Sequence, residues 1–177
     1  MHIILQTPRL YLRRFNLNDE DASLIFKLNG HTEVLKYLHE RSLTDIADAK
    51  NVIESIILPQ YKNNLGRWAV HLKDSNDFVG WCGLKYRQER DETDLGYRFL
   101  PEVWGKGIAS EAAAACLNYA FETLQLQQVN ACAHKENAAS LRILQKIGMT
   151  YTHDEIIDEC PVKCFIITTL ENIPKKR

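Results

Sequence analysis

Two glycines, Gly105 and Gly107, stand between a predicted strand and a long predicted helix, in the segment Trp-Gly-Lys-Gly-Ile-Ala. Glycine adopts positive φ without steric cost and lets the backbone approach a ligand closely. The first amides of a helix have no partner within the helix, and the helix dipole adds partial positive charge there. The segment therefore suits a diphosphate group, and Lys106 adds positive charge at its rim.

Two other phosphate loops do not match this segment. A nucleotide P-loop ends in Gly-Lys-Ser/Thr, but Gly107 follows Lys106 here, and Leu100 stands where the first glycine belongs. A dinucleotide fingerprint requires a third glycine, where Ser110 stands, and a later acidic residue that Gln125 and its neighbours do not supply. For the loop alone, a tight strand-to-helix turn without a ligand stays open as the alternative.

Hydrophobic patterns along the 177 residues predict the elements that position this loop. Apolar residues alternate in the predicted strands and recur at helical spacing in the predicted helices. The expected strands are 10–14, 68–72, 78–86, 95–100, 129–134, 150–157 and 163–170. The expected helices are 18–28, 45–61, 107–124 and 137–147. This mixed order indicates an α/β or α+β sheet with helices on its faces, in a single domain over residues 1–177.

Composition argues against several classes of function. The net charge of −1 provides no basic field for nucleic acid or an anionic membrane, and Lys175-Lys176-Arg177 is the sole basic run. No apolar stretch approaches the roughly 20 residues that span a bilayer. Five cysteines make an odd count, and the spacing of Cys160 and Cys164 is wrong for a zinc knuckle. We therefore expect free thiols, no metal, and a cytoplasmic location.

The segment from Trp104 to Ala112, Trp-Gly-Lys-Gly-Ile-Ala-Ser-Glu-Ala, resembles the acetyl-CoA loop of the GNAT superfamily. The general pattern of that loop is Gln/Arg-x-x-Gly-x-Gly/Ala, and Trp104 in the first position resembles the ribosomal-protein N-terminal acetyltransferase subfamily. Three further pieces are similar to that subfamily in the same order: residues 7–13, 94–97 and 137–149, the last with Met149 where Phe is usual. The similarity covers about residues 7–170.

The resemblance implies a splayed central sheet of about seven strands with helices on both faces, and acetyl-CoA as co-substrate. Backbone groups of the strand from Tyr97 to Leu100 would pair with the pantetheine arm, and the amide near Phe99 or Leu100 would be the oxyanion donor. Asn137 would hydrogen-bond the cofactor near its thiol end, although its side chain also suits a helix cap. The pyrophosphate would be held by the loop amides of Trp104, Gly105, Lys106, Gly107, Ile108 and Ala109.

The implied reaction is attack of a neutral amine on the thioester. At pH 7 an α-amine loses its proton for about 1–1.4 kcal/mol and a lysine amine for about 4.6 kcal/mol, so a weakly placed carboxylate suffices for the α-amine. Asp94 stands where the family often has Glu and is the candidate base, acting through water. Its alternative is a solvent-facing acid near a hairpin.

Other polar residues receive secondary roles in this hypothesis. Ser140 is a candidate donor to the departing sulfur, with hydrogen bonding inside its helix as the alternative. Leu144 occupies the position where many family members carry a tyrosine acid, so that acid is missing. His134 is a second candidate base, with a structural role as the alternative, and we expect Glu111 to be structural.

We therefore expect acetyl transfer from acetyl-CoA to a primary amine, either a protein N-terminus or a small-molecule amine. A catalytically weak acyl-CoA-binding regulator of the same fold is the main alternative, and a plain interaction protein is a third. Acceptor contacts are expected from residues 29–61 and from the last hairpin. No nucleic-acid or membrane partner is expected, and both a monomer and a homodimer stay open.

Overall fold

A computed structural model describes residues 2–38 and 40–169. The strands are β1 (Ile3–Gln6), β2 (Leu10–Arg13), β3 (Gly66–Leu72), β4 (Phe78–Arg87), β5 (Glu92–Phe99), β6 (Gln128–His134), β7 (Thr150–Ile157) and β8 (Cys160–Thr168). The helices are α1 (Asp19–Asn29), α2 (Thr32–Leu35), α3 (Ile46–Val52), α4 (Ile108–Asn118) and α5 (Ala138–Lys146). All eight strands form one sheet in the order β1-β2-β3-β4-β5-β6-β8-β7, so the predicted mixed sheet is confirmed.

The sheet has one strand more than expected. The sequence Ile-Ile-Leu-Gln of β1 does not alternate, so the pattern gave no strand signal, but it pairs antiparallel with β2, with Gln6 opposite Tyr11. The short α2 was missed as well, because four residues cannot show helical periodicity. The last strand ends at Thr168, and residue 170 and the basic run 175–177 lie outside the described residues.

The second predicted helix is interrupted. Regular α-helix ends at Val52, and the chain continues through a π turn (Ile53–Ile57) and a 3-10 segment (Leu58–Asn63). Pro59 lies near the start of that 3-10 segment and has no amide hydrogen, so the regular helical ladder cannot pass through it. The helix predicted for 107–124 likewise ends in a π turn, Tyr119–Thr123.

Helices cover both faces of the sheet. Arg13 in β2 stands opposite Ala69 of β3, which stands opposite Trp81 of β4, so these side chains share one face. On that face Arg13 forms a buried ion pair with Asp21 of α1, at 2.6 Å between Nη2 and Oδ1. Cys82 points to the other face, where its sulfur lies 3.5 Å from that of Cys116 in α4.

The five cysteines are free thiols, as expected, and four of them are buried. No helix in the described part of the chain is both long and apolar enough to span a bilayer.

Candidate functional site

The sheet opens between β5 and β6. These parallel strands are in register at a single pair, Asp94 with Asn130, whereas β4 and β5 pair continuously from Glu92 to Phe99. Beyond Asp94 the edge of β5 is therefore free of a neighbouring strand. An open cleft of about 1120 Å³ occupies this divergence. Its volume exceeds the roughly 300–1,000 Å³ of a typical single-ligand pocket, so it can receive two substrates.

Backbone groups of β5 face the cleft on alternate residues. The amide of Leu100 donates to the carbonyl of Val79 at 2.9 Å, on the β4 side. Because antiparallel bonding alternates along a strand, the amides of Phe99 and Tyr97 point the other way, toward the divergence. The expectation for Leu100 is therefore corrected: its amide is occupied, and its carbonyl accepts from Val103 at 3.2 Å. The role of the Phe99 amide as a backbone donor stays a prediction.

The glycine loop has the geometry that its sequence predicts. Gly105 and Gly107 have φ of 73° and 76°, and a Cβ added to Gly105 would meet no atom within 4 Å. The first bond that closes α4 runs from the Glu111 amide to the Gly107 carbonyl, at 3.0 Å. The amides of Ile108 and Ala109 precede this bond and have no partner within the helix. The loop and the helix start are thus free to receive an anion.

Two residues of the loop, Trp104 and Lys106, make contacts that the sequence did not predict. The amide of Trp104 donates to the Pro101 carbonyl at 3.1 Å, so it is not available to a phosphate. Its indole Nε1 donates to the Phe99 carbonyl at 2.9 Å, which joins the loop to the end of β5. Lys106 is exposed and does not line the cleft, and its carbonyl accepts from Arg9 at 2.9 Å.

The carboxylate of Glu111, in the first turn of α4, forms hydrogen bonds with the turn between β1 and β2. It accepts from the Thr7 hydroxyl at 2.5 Å, and from the backbone amide and Nε of Arg9 at 3.0 and 2.6 Å. Partial burial raises the pKa of Glu111, but these donors outweigh it and the pKa is lowered overall. These contacts agree with the predicted structural role.

Helix α5 brings Asn137 and Ser140 to the opposite wall of the cleft. Asn137 Oδ1 accepts from the Ser140 amide at 3.1 Å, so the residue caps α5, and its Nδ2 points to no acceptor among the described residues. The Ser140 hydroxyl lies 2.8 Å from the hydroxyl of Tyr97. Burial raises the pKa of Tyr97, so this phenol stays neutral and can donate a hydrogen bond.

The sequence placed the backbone of Tyr97 at the cofactor but gave no sign that its hydroxyl meets Ser140, because that contact joins distant segments. Leu144, where a tyrosine acid was sought, is buried at the cleft wall. His134 does not line the cleft. Its ring packs against Tyr37 and its Nδ1 accepts from the amide of Glu136 at 3.2 Å, so the structure supports its structural alternative.

Asp94 lies at the point where the strands diverge. Its side chain is 14% exposed, and burial raises its pKa to about 6, although Arg87 opposes the shift. The contact with Arg87 is loose, at 3.4 Å between Nη2 and Oδ2. A carboxyl with a pKa near the working pH is well suited to accept a proton.

The other half of the cleft is lined by three arginines, Arg67, Arg87 and Arg98, and by the indole of Trp81. Trp81 is buried, with the guanidinium of Arg67 4.4 Å from its ring centroid and that of Arg98 at 5.6 Å. Arg98 binds both carboxylate oxygens of Glu40, at 3.0 and 2.9 Å. Sequence reasoning missed these residues, although charged residues alternating with apolar ones in β3 and β5 were a readable signal.

A cluster suited to a cation lies apart from the cleft. The ligand atoms of His153, Glu155 and Cys164 are within 4.8 Å of one another. Glu155 is already bound by two nitrogens of Arg90, at 2.8 and 2.9 Å, so its carboxylate is not free to serve a metal.

Comparison with known proteins agrees with this geometry. The family model of the acetyltransferase (GNAT) domain matches residues 9–150. The uncharacterized N-acetyltransferase YoaA of Bacillus subtilis is 33% identical over 150 residues, covering 84% of this chain and 83% of the relative.

Solved structures share the fold. RimL, a ribosomal L7/L12 alpha-N-protein acetyltransferase in complex with coenzyme A, superposes with a TM-score of 0.80 at 14% identity, covering 94% of this chain and 98% of its own. A spermidine N-acetyltransferase from Vibrio cholerae, in complex with CoA and spermine, gives 0.77 at 18% identity, covering 93% and 98%. By the family model and the relative above 30% identity, the chain belongs to the acetyltransferase (GNAT) domain family.

Proposed function

We propose that the protein transfers the acetyl group of acetyl-CoA to a primary amine by direct attack on the thioester. The observation that carries this proposal is the divergence of β5 from β6, with a free helix start on one side and Asp94, of pKa about 6, at the point of divergence. Acetyl-CoA supplies the activated acyl group. It would enter from the side of α4 and α5, and the amine from the side of Trp81.

The diphosphate would bind the amides of Gly105, Gly107, Ile108 and Ala109, with Lys106 adding charge from the rim. Positive φ at both glycines and the absence of a side-chain cap on α4 support this assignment. The pantetheine arm would run along the free edge of β5 and reach the side-chain amide of Asn137.

Asp94 would accept the proton of the incoming amine through water. Its raised pKa of about 6 lies nearer to the pKa of an α-amine than the pKa of an ordinary carboxyl does. The amide of Phe99 would donate to the carbonyl oxygen as negative charge develops on it. The Tyr97 hydroxyl, 2.8 Å from that of Ser140, would donate to the Ser140 hydroxyl, which would donate its own proton to the departing sulfur. Ser140 thus keeps its predicted role, with Tyr97 added.

The acceptor class is the finer part of the proposal. A protein N-terminus or a small-molecule amine with an α-amino group fits best, because one partly buried carboxylate is a modest base. Likeness to RimL supports the ribosomal N-terminal subfamily, and likeness to the spermidine enzyme supports small amines. These two neighbours do not decide between the classes.

The test is a screen of amine acceptors with acetyl-CoA, in which released thiol is measured and product mass is confirmed. We expect turnover with at least one α-amine. Binding of acetyl-CoA without turnover on any amine would favour the regulatory alternative, and absence of acetyl-CoA binding by calorimetry would refute the proposal.

A further inference from the structure

Arg67 is a partly buried cation without an anionic partner. It lines the cleft beside Trp81, and no acceptor among the described residues takes a hydrogen bond from its guanidinium. The two other arginines that line this half of the cleft differ in this respect, since Arg98 binds Glu40 and Arg87 contacts Asp94. Buried cations in folded proteins are normally paired. Arg67 therefore has unused capacity to bind an anion.

The electrostatics of the cleft support this reading. Burial, together with the positive charge of Arg98, lowers the pKa of Arg67 to about 10, although Glu40 and Asp94 oppose the change. The guanidinium is still charged at neutral pH. It is thus a desolvated positive charge that any bound oxyanion would stabilise.

The indole of Trp81 covers the surface between Arg67 and β5 on this face of the sheet. Arg67 stands opposite Gly83, and Gly83 stands opposite Gly96, so the residues that pair across this part of β4 and β5 carry no side chain that would displace the indole. The indole lies against Gly96, where an added Cβ would come within 3.3 Å of two of its ring atoms. Asp94 is two residues from Gly96 on the same strand and, by alternation, on the same face.

We propose that the acceptor carries a carboxylate close to its reacting amine, that Arg67 binds this carboxylate, and that the indole of Trp81 supports the segment between the two groups. This proposal rests on the proposed function and names the acceptor class of the same site. The planar guanidinium matches a carboxylate with two parallel hydrogen bonds. The amine is thereby directed toward Asp94.

Two sources supply such a carboxylate: the α-carboxylate of a free amino-acid-like acceptor, or an acidic side chain beside a peptide N-terminus. Polyamines lack the carboxylate, and their positive charges would meet Arg67, the arginine of this half of the cleft that has no acidic partner among the described residues. The structure therefore disfavours a spermidine-like acceptor.

The test compares acceptors in matched pairs with acetyl-CoA and the full chain. One arm uses phenylalanine and phenylalaninamide, a second uses peptides that begin Ala-Asp and Ala-Asn, and a third uses spermidine. We expect kcat/KM to favour the carboxylate member of one pair by about tenfold or more, as for a charge-assisted hydrogen bond. The pair that shows the preference identifies the source.

Arg67→Met removes the charge and keeps an apolar stem beside Trp81. It should raise KM for the carboxylate acceptor, abolish the preference within the pair and leave the KM of acetyl-CoA unchanged, and Arg67→Lys should restore part of the preference. Arg14→Met is the matched control, because Arg14 also stacks on an aromatic ring, 5.0 Å from the centroid of Tyr61, and does not line the cleft.

Equal rates within both pairs, faster turnover of spermidine, or a preference that survives in Arg67→Met would overturn this inference while the transferase function stands. If no amine in any arm is acetylated although acetyl-CoA binds, the proposed function and this inference both fail.

Discussion

Replacing Asp94 with asparagine should lower turnover and raise the stability of the fold at neutral pH, because the ionised carboxylate serves the reaction but destabilises the folded protein. The side chain of Asp94 is 14% exposed, and burial raises its pKa from 3.8 to about 6. A raised pKa means that the folded protein holds the proton more tightly than the unfolded chain does, so ionisation of Asp94 destabilises the fold. A shift from 3.8 to about 6 corresponds to about 3 kcal/mol.

The pH window of this effect follows from the two pKa values. Below pH 3.8 the carboxyl is protonated in both states and contributes nothing to pH dependence. As pH rises from 3.8 to about 6 the unfolded chain ionises first, so the wild-type protein loses stability, and above about 6 the loss is complete. Asparagine resembles the neutral carboxyl in shape and avoids the loss.

We expect Asp94→Asn to match wild type near pH 4 and to exceed it at pH 8 by up to about 3 kcal/mol, or about 6–12 °C in Tm. Turnover should fall by about 10²–10⁴ while acetyl-CoA affinity is kept. Urea unfolding at both pH values and steady-state thiol release measure the two effects, and Glu89→Gln, in the exposed turn of the same hairpin, is the control. Wild-type turnover in Asp94→Asn would refute the base assignment, and lower stability at pH 8 would refute the electrostatic reasoning.

Three other substitutions test the remaining parts of the site. Arg87→Met removes the cation that opposes the raised pKa, so the acidic limb of kcat/KM should move up from about 6 by about one unit or more. With plateaus set equal, a shift of one unit lowers kcat/KM at pH 6 about fivefold relative to wild type, and Arg90→Met on the same hairpin should not move the limb. Gly107→Val forces a β-branched residue to φ of 76° and should weaken acetyl-CoA binding about tenfold or more by calorimetry, whereas Gly148→Val, with similar strain at φ of 91° outside the cleft, should lower Tm without changing affinity. Tyr97→Phe should lower kcat with little change in the KM of acetyl-CoA, and an unchanged kcat would remove this hydroxyl from the chemistry.

The order of strands and helices was largely readable because each long element carries its own periodicity. The exceptions have local causes. β1 has four residues without alternation, α2 has four residues, and Pro59 interrupts the second long helix. Strands β4 and β5 reach Arg87 and Glu92, beyond the predicted bounds at residues 86 and 95, because cross-strand pairing extends them past their hydrophobic centres.

The candidate site also has features that the sequence predicts and features that it does not. By itself the sequence determined the geometry of the glycine loop, because two glycines before a helix act locally: positive φ and free amides at the helix start need no distant partner. It also placed Asp94, Asn137 and Ser140 on identifiable elements.

Only the tertiary structure decided what those groups meet. The ladder with β4 occupies the amide of Leu100 and leaves that of Phe99 free. The packing of α5 against β5 joins Ser140 to Tyr97, 43 residues apart in the chain. The shift in the pKa of Asp94 and the unpaired charge of Arg67 exist only because folding removes water from both groups and assigns their counter-ions. Burial and pairing depend on contacts between distant segments, which a pattern within one segment does not contain.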